Sequence, residues 1–302
     1  LRLFQATRAN ILTQFPLAEA VEARFIVATP ELGGTELIKP LQQEAKAIWK
    51  AIDAKYAELT DEDVDMFYGC TICQTFAPNH ICVVTPGRIP YCGIMSYNGA
   101  KVTYEVDPQG YTLEIPKGEV LNATMGEYSG VNQKVYEKSN GTVKRAYLKT
   151  CIKYVTTNCG CFEGIAFYIP EVDGIGLVHR RYFGETPIGL RFSTLAGMIS
   201  GGAQNHGFRG ISIRGILQND SWVSGDGSWN RIVWLPKDLK LEVAEAIPEE
   251  IYDKLATEED TIDLGKLKEF LIQKKHPIVE KFWKNGEPQP LQIPAPNQDW
   301  PD

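Results

Sequence analysis

The chain has 302 residues, 43% hydrophobic and 23% charged, with 31 basic against 38 acidic side chains and a net charge of -7. This profile fits a globular protein with a sizeable core, and it excludes a nucleic-acid binder that relies on a basic run or an aromatic-interleaved stripe. No stretch reaches the ~20 apolar residues of a membrane span, and LRLFQATRANILTQF at the start lacks a signal peptide's apolar centre, so the sequence reads as cytoplasmic.

In chain order, PLQQEAKAIWKAIDAKYAEL places Leu41, Ala45, Ile48, Trp49, Ile52, Ala54 and Tyr56 near helical spacing. It ends at TDEDVDMF, where Thr60 or Asp61 can cap a short new helix. A cysteine-rich segment follows on loops. KVTYEV, YTLEI and GIAFYI read as short extended runs, NQKVYEK as a helix and RIVWLP as a buried strand. EEIYDKLA and LGKLKEFLIQKK are amphipathic helices, the second stopping before His276-Pro277, and the proline-rich tail NGEPQPLQIPAPNQDWPD is expected to be extended or mobile. Without regular strand-helix alternation or an internal repeat, the pattern predicts an α+β fold, mixed helices and short strands around a loop-borne metal cluster.

Four of the seven cysteines, Cys70, Cys73, Cys82 and Cys92, fall within YGCTICQTFAPNHICVVTPGRIPYC. Disulfides are rare in a reducing cytosol, and an odd number of cysteines cannot all pair within one chain. Structural zinc usually shows two close pairs, whereas here one C-x2-C is followed by two single cysteines; iron-sulfur clusters accept such irregular spacing. Downstream, Cys159 and Cys161 flank Gly160 in TTNCGCFEG. A Cys-Gly-Cys tripeptide can present two thiolates and two deprotonated backbone amides in a plane, the coordination that nickel(II) or copper(II) favours over zinc. Gly160 has no side chain to obstruct that flattening. The structural alternative is a tight turn carrying two buried thiols.

The full pattern, C-x2-C-x8-C-x9-C with NCGCFEG beyond it, resembles the A-cluster domain of the acetyl-CoA synthase subunit of the carbon monoxide dehydrogenase/acetyl-CoA synthase complex. The stretches VYEKSNGTV, FSTLAGMISGGAQNHGF and RIVWLPKDLK extend the resemblance from about Leu59 to about Leu241. The resemblance implies that Cys70, Cys73, Cys82 and Cys92 ligate a [4Fe-4S] cluster, with the Cys73 sulfur bridging to a proximal nickel. Cys159, Gly160 and Cys161 would hold a distal nickel, the two thiolates shared with the proximal site, which copper or zinc can occupy on isolation. It further implies an acyltransferase that joins a methyl group from a corrinoid iron-sulfur protein, carbon monoxide and coenzyme A into acetyl-CoA, working beside a carbon monoxide dehydrogenase subunit. Phe76 would stand over the open position of the proximal nickel; the bland reading is a core phenylalanine. The competing function is a noncatalytic iron-sulfur or zinc module of a larger complex.

The remaining residues receive structural expectations. His80 reads as a hydrogen-bonded loop histidine and Cys151 as a small buried apolar residue. Gly197, Gly201 and Gly202 permit tight backbone passage beside the cluster, in a stretch that lacks Walker spacing. Arg180, Arg181, Arg191, Arg209 and Arg214 read as a solvated face, with coenzyme A phosphates or an acidic partner as the functional alternative. The expected organisation is an N-terminal helical segment or remnant of a preceding domain over residues 1–58, a catalytic domain over 59–285 and a tail over 286–302. With about 58 residues ahead of the cluster domain, the resemblance implies weakened coenzyme A binding and dehydrogenase docking, and access of carbon monoxide from bulk solution.

Overall fold

The computed structural model describes residues 58–300. The expected helix over residues 40–59 and the stretch EARFIVATPELGG therefore lie outside the described residues, save Glu58 and Leu59. Among the described residues, three sheets carry the fold. In the first, β1 (Met66–Cys70) lies between β2 (Cys82–Val84) and β3 (Thr112–Pro116), antiparallel to both. Helix α1 (Tyr97–Val106) packs against β1 and β3. A small hairpin of β4 (Val120–Asn122) and β5 (Glu127–Tyr128) leads into α2 (Ser129–Lys138). Phe67, Ile81, Val83, Ile115 and Tyr128 form the core between the first sheet and α2.

The larger sheet has the order β8-β6-β7-β9 and consists of β6 (Gly164–Ile169), β7 (Gly174–His179), β8 (Phe208–Ile211) and β9 (Ile232–Trp234). Every residue of β6 and β7 is buried, so apolar GIAFYI is a central strand covered on both faces. The remaining helices are α3 (Phe192–Ile199), α4 (Ile213–Gln218), α5 (Lys237–Glu242), α6 (Glu249–Tyr252), α7 (Leu264–Gln273) and α8 (Pro277–Lys281). Segregated helices and separate, mainly antiparallel sheets make this an α+β fold.

Several local expectations are corrected. KVTYEV is the body of α1, not a strand. Its β-branched residues suggested alternation, but the Ser96 hydroxyl caps the helix by accepting from Gly99 N at 3.2 Å. Helical spacing then brings Tyr97 and Tyr104 against Tyr68, with ring centroids 5.5 and 6.2 Å away. Thr60 starts a turn and no helix: its N–H and hydroxyl both donate to Asp63 Oδ2, at 2.8 and 2.7 Å. EEIYDKLA is helical only over the single turn of α6.

The tail has no regular element, yet it is docked along its length. Leu291 N donates to Tyr168 Oη, Asn297 N to Gln204 O and Trp300 N to Tyr154 Oη, each at 3.0 Å. Of the two expectations, extended or mobile, these bonds favour the extended one.

His276 caps α8, its buried ring accepting from Ile278 N at 3.1 Å. Burial lowers its pKa from 6.5 to about 4. Above pH 6.5 the ring is neutral in both folded and unfolded chains. As pH falls from 6.5 toward 4, only the unfolded chain takes up the proton, so stability declines by up to about 3 kcal/mol and levels off below that window. His276→Asn keeps a capping side chain without the titration. Denaturant melts at pH 7 and pH 4.5 should show the variant losing less stability than the parent; equal losses would assign the acid sensitivity to other groups.

Candidate metal centre

Two stretches of chain converge. Cys70 closes β1 and Cys82 opens β2, and the antiparallel register places them directly opposite one another. Cys73 lies on the one-turn 3-10 helix Ile72–Thr75 between the strands. Cys92 follows β2 after the loop through Tyr91, in a turn closed by Gly93 N donating to Pro90 O at 2.9 Å. The cluster segment is therefore only partly loop-borne, because β-pairing fixes two of its four thiols. Cys159 and Cys161 sit on irregular backbone just before β6.

Cys73, Cys159 and Cys161 form the thiol group in which every sulfur lies within 4.8 Å of the others. The Cys73 and Cys161 sulfurs are 3.7 Å apart, and Cys161 N–H faces Cys159 Sγ at 3.3 Å. Among the described residues this is the only group of three potential donors so close together, and Cys70, Cys82 and Cys92 lie outside it. A four-iron cube holds its thiolates farther apart than one shared ion does, so the two sets need not have the same spacing.

No cysteine forms a disulfide, and Cys70, Cys73, Cys82 and Cys159 are buried in one core cluster. Burial pushes Cys70 up to about 11 and raises Cys73, Cys82, Cys92 and Cys159 as well. Charge on Cys92 and on Cys159 would each raise Cys70 further. These five thiols, raised by desolvation, become thiolates readily only when cations replace their protons, and the donor set suits soft, thiophilic metals.

Gly160 has φ +136, a region L side chains rarely adopt, and a Cβ there would lie 3.2 Å from Ser200 Oγ. The Cys159 carbonyl accepts from Gly201 N at 3.1 Å, and the Asn158 carbonyl from Gly202 N at 2.8 Å. Gly202 passes so close to the first segment that a Cβ would meet Asn79 Cβ and His80 N at 3.3 Å. Tight passage thus holds for Gly202 alone; a Cβ on Gly197 or Gly201 would point into open space, and Gly201 calls for glycine through its φ of +95 instead.

His80 is fully buried, with Nε2 3.0 Å from Cys82 Sγ and Nδ1 3.0 Å from Thr157 Oγ1. Burial, reinforced by Arg88, lowers its pKa to about 3 and keeps the ring neutral. A thiolate can only accept, so a deprotonated Cys82 would place the proton on Nε2 and leave Thr157 as the donor to Nδ1. His80 thus bridges the two cysteine segments, a role the sequence did not specify. Asn158 was also missed. Its Oδ1 accepts from Gly210 N at 2.7 Å and its Nδ2 faces Phe208 O at 3.4 Å, which pins the residue before Cys159 to β8.

Phe76 caps the 3-10 turn through its N–H to Cys73 O, and its side chain is 57% exposed, so it is not a core residue. Cys151 is buried as expected, with its thiol 3.2 Å from Asp226 Oδ2. The five arginines do not form one solvated face: Arg209 is buried, Arg181 pairs with Glu242 and Arg214 donates to Gly93 O at 3.3 Å.

The family model for the C-terminal part of the ACS/CODH beta subunit matches residues 49–282. The chain belongs to this family. The acetyl-CoA decarbonylase/synthase complex subunit beta of Methanopyrus kandleri is 48% identical over 252 residues, 83% of this chain and 54% of that protein. Subunit beta 2 of the same complex from Methanocaldococcus jannaschii is 47% identical over 290 residues, covering 96% and 59%. The chain thus spans a little over half the length of these family members. A solved C-terminal domain of an acetyl-coenzyme A synthase alpha subunit is 39% identical, covering 40% of this chain and 95% of that one with a TM-score of 0.35. Among the described residues no helix is long and apolar enough to cross a membrane.

Proposed function

We propose that this chain carries the acetyl-forming centre of an acetyl-CoA synthase, acting as an acyltransferase on a corrinoid-borne methyl group, carbon monoxide and coenzyme A. The observation that carries the reading is the convergence of Cys73, from one segment, with Cys159 and Cys161, from another, within 4.8 Å. A module built around the four-cysteine segment alone would not need Cys-Gly-Cys to meet it.

Cys70, Cys73, Cys82 and Cys92 would hold a [4Fe-4S] cluster; Cys159, Gly160 and Cys161 a distal nickel; and Cys73, Cys159 and Cys161 jointly a proximal one. When bound, the nickel and cluster supply an electron-rich thiolate-supported metal at which the carbon-carbon bond can form. The chain's own residues do the positioning. His80 restrains both segments and would donate to a Cys82 thiolate, Gly160 leaves the tripeptide free to flatten, and the Gly201 and Gly202 amides hold the carbonyls of Cys159 and Asn158. Phe76, exposed beside Cys73, would screen the substrate side from water. Family membership supports partner subunits, which we take to include a corrinoid protein and a dehydrogenase, in the cytoplasm.

The test is to reconstitute the full chain anaerobically with iron, sulfide and nickel and to supply methylated corrinoid protein, carbon monoxide and coenzyme A. Acetyl-CoA formation that requires nickel is expected; a chain with complete metal content and no acetyl product would overturn the proposal. Phe76→Ala should retain the metals, leave the melting temperature nearly unchanged because the ring is already exposed, and alter the carbon monoxide inhibition curve. An unaltered curve would remove Phe76 from the site.

A further inference from the structure

Arg88 and Arg209 line one small cavity together with Tyr91, Ser212 and Trp222. The arginines and the tryptophan are only 3–4% exposed. Arg88 spends its terminal nitrogens on Val83 O at 2.8 Å, Tyr91 Oη at 3.0 Å and Thr156 Oγ1 at 2.7 Å. Arg209 Nη1 donates to the carbonyls of Leu148, at 3.0 Å, Thr150, at 3.1 Å, and Trp222. Among the described residues three N–H groups of this lining have no acceptor: Nε of Arg88, Nε of Arg209 and Nε1 of Trp222.

All three groups are donors and nothing else, so whatever answers them must accept. Among the described residues no carboxylate lines the cavity; the buried carboxylate of Asp226 lies near enough to favour the charged Arg209, but its own oxygens are engaged by Thr150 Oγ1 and Cys151 N, each at 2.6 Å. Two buried guanidiniums side by side cost several kcal/mol each unless charge is compensated. Their mutual effect is visible in Arg209, which burial and then the neighbouring Arg88 charge lower to about 10. A water molecule would accept hydrogen bonds but bring no charge. The cavity leaves about 10 Å³ for the centre of a water-sized sphere, the scale of one water molecule or one monatomic ion.

We propose that this cavity binds one monatomic halide, chloride in ordinary solution, between Arg88, Arg209 and Trp222. Arg88 links Val83 of β2 to Thr156, three residues before Cys159, so the anion braces the two cysteine segments from outside the metal centre.

The test uses the full chain prepared free of halide in gluconate. Replacing gluconate by bromide at constant ionic strength should raise the melting temperature along a saturating curve. Crystals grown in bromide should show an anomalous peak within hydrogen-bonding distance of both Arg Nε atoms. Trp222→Phe keeps the ring and removes one N–H, and should raise the half-saturating bromide concentration about tenfold. Arg209→Gln, if it folds, should abolish saturation. The proposal is overturned by a bromide response equal in parent and Trp222→Phe, by the lack of any saturating response, or by a cavity that refines as water with no anomalous signal.

Discussion

Serine at position 159 should produce a chain that keeps its iron and loses its nickel. Cys159 is one of three thiols within 4.8 Å, and its sulfur receives the Cys161 amide at 3.3 Å. A hydroxyl has nearly the same shape but is a hard donor that stays protonated, so nickel affinity should fall by more than ~100-fold and acetyl formation with it. The thiols proposed to bind iron come from the earlier segment, anchored independently by the pairing of Cys70 with Cys82. Metal analysis and the visible absorption of anaerobically prepared Cys159→Ser therefore separate the two sites. Loss of iron along with nickel would show that they are one interdependent cluster.

The second large effect is expected from a residue that holds no metal. Asn158→Ala leaves the buried Gly210 amide without its 2.7 Å acceptor and frees Phe208 O from the 3.4 Å contact. An unsatisfied buried amide costs about 1–3 kcal/mol, which at this chain length lowers the melting temperature by roughly 2–4 °C per kcal/mol. Because the next residue is Cys159, nickel affinity should also fall by ~10-fold or more, as it does when outer supports of metal ligands are removed. Competition with a chelator measures this. A lower melting temperature with unchanged nickel affinity would confine Asn158 to a purely structural role.

The two cysteine segments that meet through Cys73, Cys159 and Cys161 were legible because cysteine spacing is a local property and thiols have few other reasons to crowd. β6 and β9 were legible for a similar reason, since short runs such as GIAFYI and RIVWLP are too apolar for anything but buried strands. What escaped depends on distant partners. α1 looks like a strand until Tyr68 on β1 is available to receive Tyr97 and Tyr104. Asn158 gains its role only from β8, fifty residues onward, and His80 only from Thr157. Arg209 looked like a surface charge because nothing in its neighbourhood of sequence reveals the carbonyls of Leu148 and Thr150 around it. The tail's prolines exclude regular structure but say nothing about the Tyr154 and Tyr168 hydroxyls that accept from its backbone.

The central claim is that two cysteine segments meet to build a mixed nickel and iron-sulfur site. Quantitative metal analysis of the full chain, reconstituted and desalted without oxygen, tests it most directly. The account predicts about four iron and about two nickel per chain, with nickel X-ray absorption dominated by sulfur neighbours. Iron without tightly held nickel, or zinc alone at the four-cysteine segment, would contradict it.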